Sequence, residues 1–229
     1  MPILAFGAAA PTFAASLRKD PGINGWVRNT PRWQGGCGYT LEVDSTINGV
    51  GPDGAPYGLY VYDITDDSVI ADPKITYWII GNQTAAWTNR SGHSSCWEYE
   101  GRGASARKAD GYIYTPYTWT YNCALDPEDR QTDALGVERL YLGGFHVQAS
   151  FTQGFNWCRN VTYWTQRFIT IDPDGPNSPQ PAEELTFERR NGTLGPFRSG
   201  ARAQRMDVEK TPSTRSAESA APKLTSEPS

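Results

Sequence analysis

Short runs in which apolar and polar residues alternate occupy the chain between about residues 36 and 172. Tyr60, Tyr62 and Ile64 recur at every second position, and the same period runs through residues 145–151. This is the period of a β-strand with one buried face, and no window shows a sustained helical period. The pattern predicts seven strands, at residues 39–43, 57–64, 75–80, 96–100, 112–123, 139–151 and 161–171.

Turn-forming residues separate these runs at positions 51–54, at Asp72-Pro73 and at Asp126-Pro127. An antiparallel β-sandwich is the closed arrangement that buries one face of each such strand. We predict a sandwich that is Ig-like in general architecture but lacks the immunoglobulin Cys-Trp-Cys signature, because no Trp stands where the core Trp should follow Cys37. The sandwich domain is predicted to span residues 17–175.

Both ends of the chain differ in composition from this domain. Residues 1–16 are apolar and rich in small residues, which predicts a signal-peptide remnant, although no Lys or Arg precedes Arg18. Residues 176–229 are rich in Pro, Ser, Thr and Ala and predict a disordered tail or spacer, because they bury too little apolar area to offset chain entropy. No apolar run reaches the roughly 20 residues of a transmembrane helix.

Four cysteines, Cys37, Cys96, Cys123 and Cys158, lie far apart and form no C-x-x-C pair. An even number at wide spacing favours two disulfides formed in an oxidising compartment. Together with the apolar N-terminus, this predicts a secreted, extracellular or cell-wall-associated protein. Three pairings can be written, and we favour the sequential one, Cys37 with Cys96 and Cys123 with Cys158.

The charge of the chain restricts its partners. The formal net charge is -4 and the isoelectric point is near 5.3, so no basic surface is available to neutralise nucleic-acid phosphates. Four sequons for N-glycosylation begin at Asn82, Asn89, Asn160 and Asn191. They would mark surface turns in a eukaryotic secreted protein and would mean little in a bacterial one.

Candidate catalytic groups are few. His93 and His146 are the only histidines, and neither belongs to a nucleophile motif, so we place His93 in a polar loop and His146 in a strand. Asp63, Glu98 and Glu100 are strand carboxylates that a paired-acid hydrolase could use. The acidic loops at 63–67 and 126–133 are interpreted as solvated turns, with a structural calcium as the alternative, and no metal site or other cofactor is predicted.

The aromatic residues are divided between core and surface by their position relative to the cysteines. Trp119 and Tyr121 share a face with Cys123 and are predicted to be core. Other rings adjoin a cysteine that is expected to point inward, or flank Pro116, where the strand is expected to bend. These rings are predicted to be exposed and to bind a ligand; they are Trp97, Tyr114, Tyr117 and Trp157.

These observations favour a secreted or cell-surface, non-catalytic binding or adhesion module that holds a glycan or an extracellular protein. Whether the protein is an enzyme stays open, with the lack of a catalytic motif weighing against it. The main alternative is a carboxylate-dependent polysaccharide hydrolase of the β-sandwich type, which requires two acids converging in one cleft. A secreted toxin or effector is the third class. The oligomeric state is also left open.

Overall fold

The computed structural model describes residues 21–51, 54–82, 84–152, 161–173, 175, 182–194 and 207–209. A 3-10 turn, Pro127–Asp129, lies between two of its strands. In chain order the strands are β1 (Gly22–Asn24), β2 (Val27–Gly35), β3 (Gly38–Asp44), β4 (Leu59–Tyr62), β5 (Val69–Ile80), β6 (Ala86–Asn89), β7 (Trp97–Arg102), β8 (Ala106–Arg107), β9 (Ile113–Tyr121), β10 (Gln131–Thr132), β11 (Glu138–Leu142), β12 (His146–Thr152), β13 (Val161–Asp172), β14 (Glu183–Leu194) and β15 (Asp207–Glu209).

These strands form three antiparallel sheets. The four-stranded sheet has the order β1-β4-β11-β10, and the five-stranded sheet has the order β15-β2-β3-β12-β6. The six-stranded sheet has the order β14-β13-β5-β9-β7, and the short β8 pairs with β9 beside β7. All seven predicted strands are present, although the predicted strand at 139–151 is divided into β11 and β12.

Two long segments pass from the four-stranded sheet into the five-stranded sheet. The chain runs from β1 into β2 across Gly25, and from β11 into β12 across residues 143–145. Gly25 has a φ of 138°, and a Cβ there would lie 1.8 Å from the carbonyl oxygen of Gly58. A Cβ on Gly144 would lie 2.6 Å from the carbonyl oxygen of Gly92. Both crossing points therefore require glycine, because the backbones approach too closely for any side chain.

The five-stranded and six-stranded sheets pack face to face around aromatic rings. The centroid of the Trp119 ring lies 5.3 Å from that of Phe145 and 4.7 Å from that of Trp87 on β6. Trp119 and Tyr121 are buried, which confirms their predicted place in the core. The four-stranded sheet adds further side chains to the same cluster, namely Ile23, Leu59, Val61, Leu140 and Leu142. The predicted antiparallel β-sandwich is thereby confirmed.

The predicted turn at Asp72-Pro73 is wrong, because both residues lie inside β5. Asp72 has a φ of 52°, and the pairing with β13 shifts register between Phe168 and Thr170. A β-bulge therefore accommodates the proline, which cannot donate to the ladder, without ending the strand. By contrast, Asp126 caps the 3-10 turn by accepting a hydrogen bond from the backbone nitrogen of Glu128, so the turn predicted there is confirmed.

A disulfide joins Cys96 to Cys123, so the sequential pairing is wrong. β7 and β9 are neighbouring antiparallel strands in which Trp97 pairs with Tyr121. The residues just beyond this pair therefore come within bonding range, with a Cα separation of 5.1 Å between the cysteines. Cys37 is also disulfide-bonded, and Cys158 lies outside the described residues. A bond between strands of one sheet differs from the immunoglobulin bridge, which connects two sheets.

β14 shows that the predicted end of the sandwich at residue 175 is too early. It pairs with β13 along its whole length, and Leu185 is 2% exposed within the core. β15 pairs in turn with β2. The predicted signal segment 1–16 and residues 210–229 of the predicted tail lie outside the described residues. Within the described part of the chain, no helix is long and apolar enough to cross a membrane.

A buried carboxylate organises the turn between β10 and β11. Asp133 Oδ1 accepts hydrogen bonds from the backbone nitrogens of Leu135 at 2.8 Å and Val137 at 3.0 Å, and its Oδ2 accepts from Arg139 Nε at 2.6 Å. The Arg139 guanidinium also lies 4.2 Å from the centroid of the Tyr60 ring. Burial alone would raise the pKa of Asp133, but the hydrogen bonds from Val137, Arg139 and Leu135 together lower it.

We expect truncation before β14 to destabilise the protein severely. A chain ending at residue 181 loses the ladder with β13 and the buried side chain of Leu185, and loss of such a side chain alone costs about 2–5 kcal/mol. A chain ending at Glu209 keeps every described strand and is the matched control. Thermal melting followed by circular dichroism compares the two. Equal midpoints would contradict the assignment of β14 to the core fold.

Asp133→Asn should weaken the fold by about 2–4 kcal/mol at neutral pH, because it leaves the Arg139 guanidinium buried without its counter-ion. Because the pKa of Asp133 is lower in the folded protein than in the unfolded chain, its carboxylate stabilises the fold fully at any pH above about 3.9, the pKa of an unfolded aspartate. This stabilisation is lost as the pH falls through the folded-state pKa of Asp133. Urea denaturation should therefore show a large difference between the two proteins at pH 7 that shrinks as the pH falls into the acid range. A difference that did not shrink with acid would refute this role.

Candidate functional site

Trp97, one of the four rings predicted to bind a ligand, is buried. Its side chain is 3% exposed, and its Nε1 donates a hydrogen bond to the carbonyl oxygen of Gly143 at 2.7 Å. The prediction that this ring faces outward is wrong because its premise fails. Cys96 precedes β7 at the margin of the sheet, where it is only half-buried, and its partner Cys123 is exposed. A disulfide at the margin does not report which neighbouring side chain faces the core.

Tyr114 and Tyr117 are also buried, and their predicted exposure is wrong because β9 continues through Pro116 as one strand that stays paired with β5. Pro116 lies where β9 changes its partner from β7 to β8. The backbone nitrogen of Gly103 donates to the carbonyl oxygen of Pro116 at 3.0 Å, so the proline nitrogen, which has no hydrogen to donate, faces this gap between partners. Trp157, the fourth ring, lies outside the described residues. The structure therefore does not bring the four rings together.

The two histidines lie side by side, His93 in a loop and His146 at the start of β12, as predicted. His93 Nδ1 accepts from the backbone nitrogen of His146 at 3.1 Å, and burial lowers the pKa of His93. His146 Nε2 lies 3.0 Å from Glu42 Oε1, and His146 Nδ1 lies 2.6 Å from the carbonyl oxygen of Ser91. Neither ring nitrogen of His146 faces a hydroxyl or thiol nucleophile. The pair thus connects the loop after β6 to β3 and β12.

The carboxylates considered for hydrolysis lie on different sheets. Asp63 follows β4 of the four-stranded sheet, whereas Glu98 and Glu100 lie on β7 of the six-stranded sheet. Glu100 accepts a hydrogen bond from Thr120 and pairs with Lys74, and these interactions, with Thr120 first, lower its pKa. Within the described residues, no group of three or more His, Cys, Asp and Glu side chains is arranged to hold a metal ion.

A different set of rings lies on the outer face of the six-stranded sheet. On β5 and β13 every second side chain points away from the core, and the outward residues of the two strands are directly paired. All of them except Thr76 are partly exposed. The pairs are Trp164 with Trp78, Gln166 with Thr76, and Phe168 with Lys74. We call these six side chains the outer aromatic face.

Hydrogen bonding and charge hold the Trp78 ring of this face in place. Trp78 Nε1 donates to Gln166 Oε1 at 3.0 Å, and no partner for the Gln166 amide nitrogen lies among the described residues. Lys108 Nζ lies 3.5 Å from the centroid of the Trp78 ring and forms an ion pair with Glu188 of β14. A cation over an indole face is attracted by the ring quadrupole. The Trp78 ring is thus fixed at its edge and on one of its faces.

A turn closes one end of the outer aromatic face. The backbone nitrogen of Lys108 donates to the carbonyl oxygen of Tyr112 at 2.9 Å, which forms this turn between β8 and β9. The Tyr114 hydroxyl donates to Asp110 Oδ2 at 2.6 Å, and the Tyr114 ring lies edge-on to Trp164 with centroids 6.2 Å apart. The turn therefore lies beside the two tryptophans, while Gln166 and Phe168, further along β13, are partly exposed.

No protein-family model, no curated protein and no solved structure matches the chain. The chemistry of the outer aromatic face must therefore be inferred from its own geometry. Sequence analysis missed this face because β5 and β13 carry rings on both sides, as in Tyr77-Trp78 and Tyr163-Trp164. The signal that could have identified Trp78 and Trp164 as the outward rings is the polar residue two positions from each, Thr76 on β5 and Gln166 on β13.

The different positions of Trp97 and Trp78 predict different costs of truncation. Trp97→Ala should lower the free energy of unfolding by about 3–5 kcal/mol, because it empties a core position and leaves the Gly143 carbonyl without its donor. Trp78→Ala should cost about 1 kcal/mol, because the ring is partly exposed. Urea denaturation at pH 7 compares the two variants. The opposite order would contradict the assignment of Trp97 to the core and Trp78 to the surface.

Proposed function

We propose that this protein is an extracellular, non-catalytic binding module that holds a carbohydrate polymer on the outer aromatic face. The proposal depends on one observation: three adjacent, registered pairs on two rigid strands combine rings with amide, hydroxyl and ammonium groups. Sugar rings present apolar C–H surfaces beside hydroxyl groups. Planar aromatic side chains match the first, and neighbouring hydrogen-bonding groups match the second.

The positions of the polar groups support recognition of hydroxyl groups. The Gln166 amide nitrogen can donate to a sugar oxygen while Gln166 Oε1 holds Trp78. Thr76 and Thr118 share a hydrogen bond of 2.9 Å between their hydroxyls next to Gln166 in the sheet. Because these groups are already fixed by the sheet, binding requires little ordering of side chains.

The charges on this face favour an uncharged glycan. Lys74 pairs with Glu100, and Lys108 pairs with Glu188, so each ammonium group already has a carboxylate partner. Glu98 on β7, which is separated from β5 by β9, adds a further exposed carboxylate. A polymer of uronic acids or sulfated sugars would meet these carboxylates, and both ammonium groups described on this face are already paired. We therefore favour a neutral polysaccharide.

The dimensions of the face favour a polymer over a single sugar. Trp164 and Phe168 are four residues apart on β13, which corresponds to roughly 13 Å along the strand. This distance exceeds the width of one sugar ring. The disulfide between Cys96 and Cys123 is the kind of bond that persists in an oxidising compartment, which supports the extracellular part of the proposal.

Affinity electrophoresis through gels that contain neutral β-glucan, xylan or mannan tests the proposal, and titration with soluble oligosaccharides measures the affinity. At least one neutral polymer should retard the protein. Phe168→Ala and Gln166→Ala should each weaken binding tenfold or more, equal to about 1.4 kcal/mol, with little change in thermal midpoint. Trp33→Ala is the matched control, because this ring is 45% exposed but lies on β2 of the five-stranded sheet.

Two outcomes would contradict the proposal. In the first, no neutral polymer retards the protein, or a polyuronate gel retards it more than the neutral gels do. In the second, Trp33→Ala weakens binding as much as Phe168→Ala does, which would place the ligand on a different surface.

A further inference from the structure

The edge strand β6 is unprotected by its own sequence. It is the last strand of the five-stranded sheet and pairs with β12, and no described strand lies on its other side. Ala86, Thr88 and Asn89 are exposed. An edge strand presents unpaired backbone groups to other chains, and proteins usually guard it with charged residues, proline or a bulge. The sequence Ala-Trp-Thr-Asn of β6 contains no charged residue and no proline.

Two sequons lie next to this edge. One begins at Asn82 and ends at Thr84, just before β6, and the other begins at Asn89, the last residue of β6, and ends at Ser91. Both asparagines and both hydroxyl residues are exposed. A glycan on either asparagine therefore has room on the folded protein, which a buried sequon would not provide.

The contacts of Asn82 are compatible with modification. Its Oδ1 accepts hydrogen bonds from Arg102 NH2 at 2.6 Å and from Ser105 Oγ at 3.1 Å. The glycan is attached to the amide nitrogen, so the oxygen keeps both of these bonds. These bonds also hold the Asn82 side chain in one orientation, with its nitrogen available for attachment.

We propose that Asn82 and Asn89 are N-glycosylated during passage through a eukaryotic secretory pathway, and that the two glycans guard the edge of β6. The co-reactant is an oligosaccharide linked through pyrophosphate to a lipid. The amide nitrogen attacks the anomeric carbon, a C–N bond forms, the C–O bond to pyrophosphate breaks, and the amide gives up one proton. The lipid pyrophosphate leaves, and no oxidation or reduction occurs.

The position of a third sequon agrees with this role. Asn191 begins a sequon within β14, which is the last strand at one edge of the six-stranded sheet. Glycans at the ends of exposed strands prevent another chain from approaching closely enough to add a strand, because strands in a sheet lie about 4.8 Å apart. The fourth sequon, at Asn160, lies outside the described residues.

The test uses the full chain secreted from yeast or insect cells. A peptide N-glycanase, which hydrolyses the side-chain amide bond and converts each glycosylated Asn to Asp, marks the modified sites, and peptide mass mapping should find this conversion at residues 82 and 89. Thr84→Ala and Ser91→Ala each remove one sequon but keep the asparagine. Thr84→Ala preserves the bonds from Arg102 and Ser105, and Ser91→Ala preserves the backbone carbonyl that faces His146. Each variant should lose the glycan at its own site alone.

The guarding role has its own readout. The double variant Thr84→Ala, Ser91→Ala should associate into larger species on size-exclusion chromatography at concentrations where the parent does not. Adding Thr88→Lys, which places a charge on the exposed edge, should reverse this association. Unmodified Asn82 and Asn89 in the secreted parent would overturn the proposal. Association that is absent in the double variant, or that Thr88→Lys leaves unchanged, would overturn the guarding role.

Discussion

The fold depends on burying large aromatic rings, some of which also form hydrogen bonds between the sheets. Rings such as Tyr77 and Trp97 fill the space between the sheets, but a hydroxyl or indole nitrogen that is buried without a hydrogen bond costs about 1–3 kcal/mol. The Tyr77 hydroxyl donates to Asn29 of the opposite sheet, and Trp97 Nε1 donates to the carbonyl oxygen of Gly143 between β11 and β12. These bonds are directional, so they fix how the two sheets are placed as well as holding them together.

The core residues that the sequence could predict are those in strands whose side chains alternate regularly between the two faces. Side chains of residues 145–151 alternate cleanly, and Phe145, Val147, Ala149 and Phe151 are all buried as the alternation requires. Trp119 was assigned to the core because it shares a face with Cys123, and the assignment is correct although Cys123 itself is exposed. Trp97 was assigned wrongly because the argument treated a disulfide cysteine as a marker of the core. The position of a disulfide at the margin of a sheet depends on which strands are neighbours, and a single sequence does not contain that information.

β14 and the outer aromatic face illustrate two further limits. An edge strand buries few side chains and gains much of its stability from the ladder with its neighbour, so the polar composition of Glu183–Leu194 resembled a spacer. In β5 and β13 the difficulty is reversed, because rings on both sides leave the alternation without a preferred phase. The pairing of Trp78 with Trp164 depends on register across strands that are far apart in sequence. Sequence analysis therefore predicted the β-sandwich but not the candidate site.

The rigidity of the outer aromatic face follows from the way the opposite layer is divided. β5 and β13 each contain twelve residues and span roughly 40 Å, whereas the strands that pass through the opposite layer are interrupted at Gly25 and at residues 143–145. Sheets twist from strand to strand, so a single uninterrupted layer would diverge from so long a partner. The glycine crossings redirect the chain and let two shorter sheets contribute to one core. The long strands consequently remain supported along their length, and the register of the two strands sets the positions of the side chains on their outer surface.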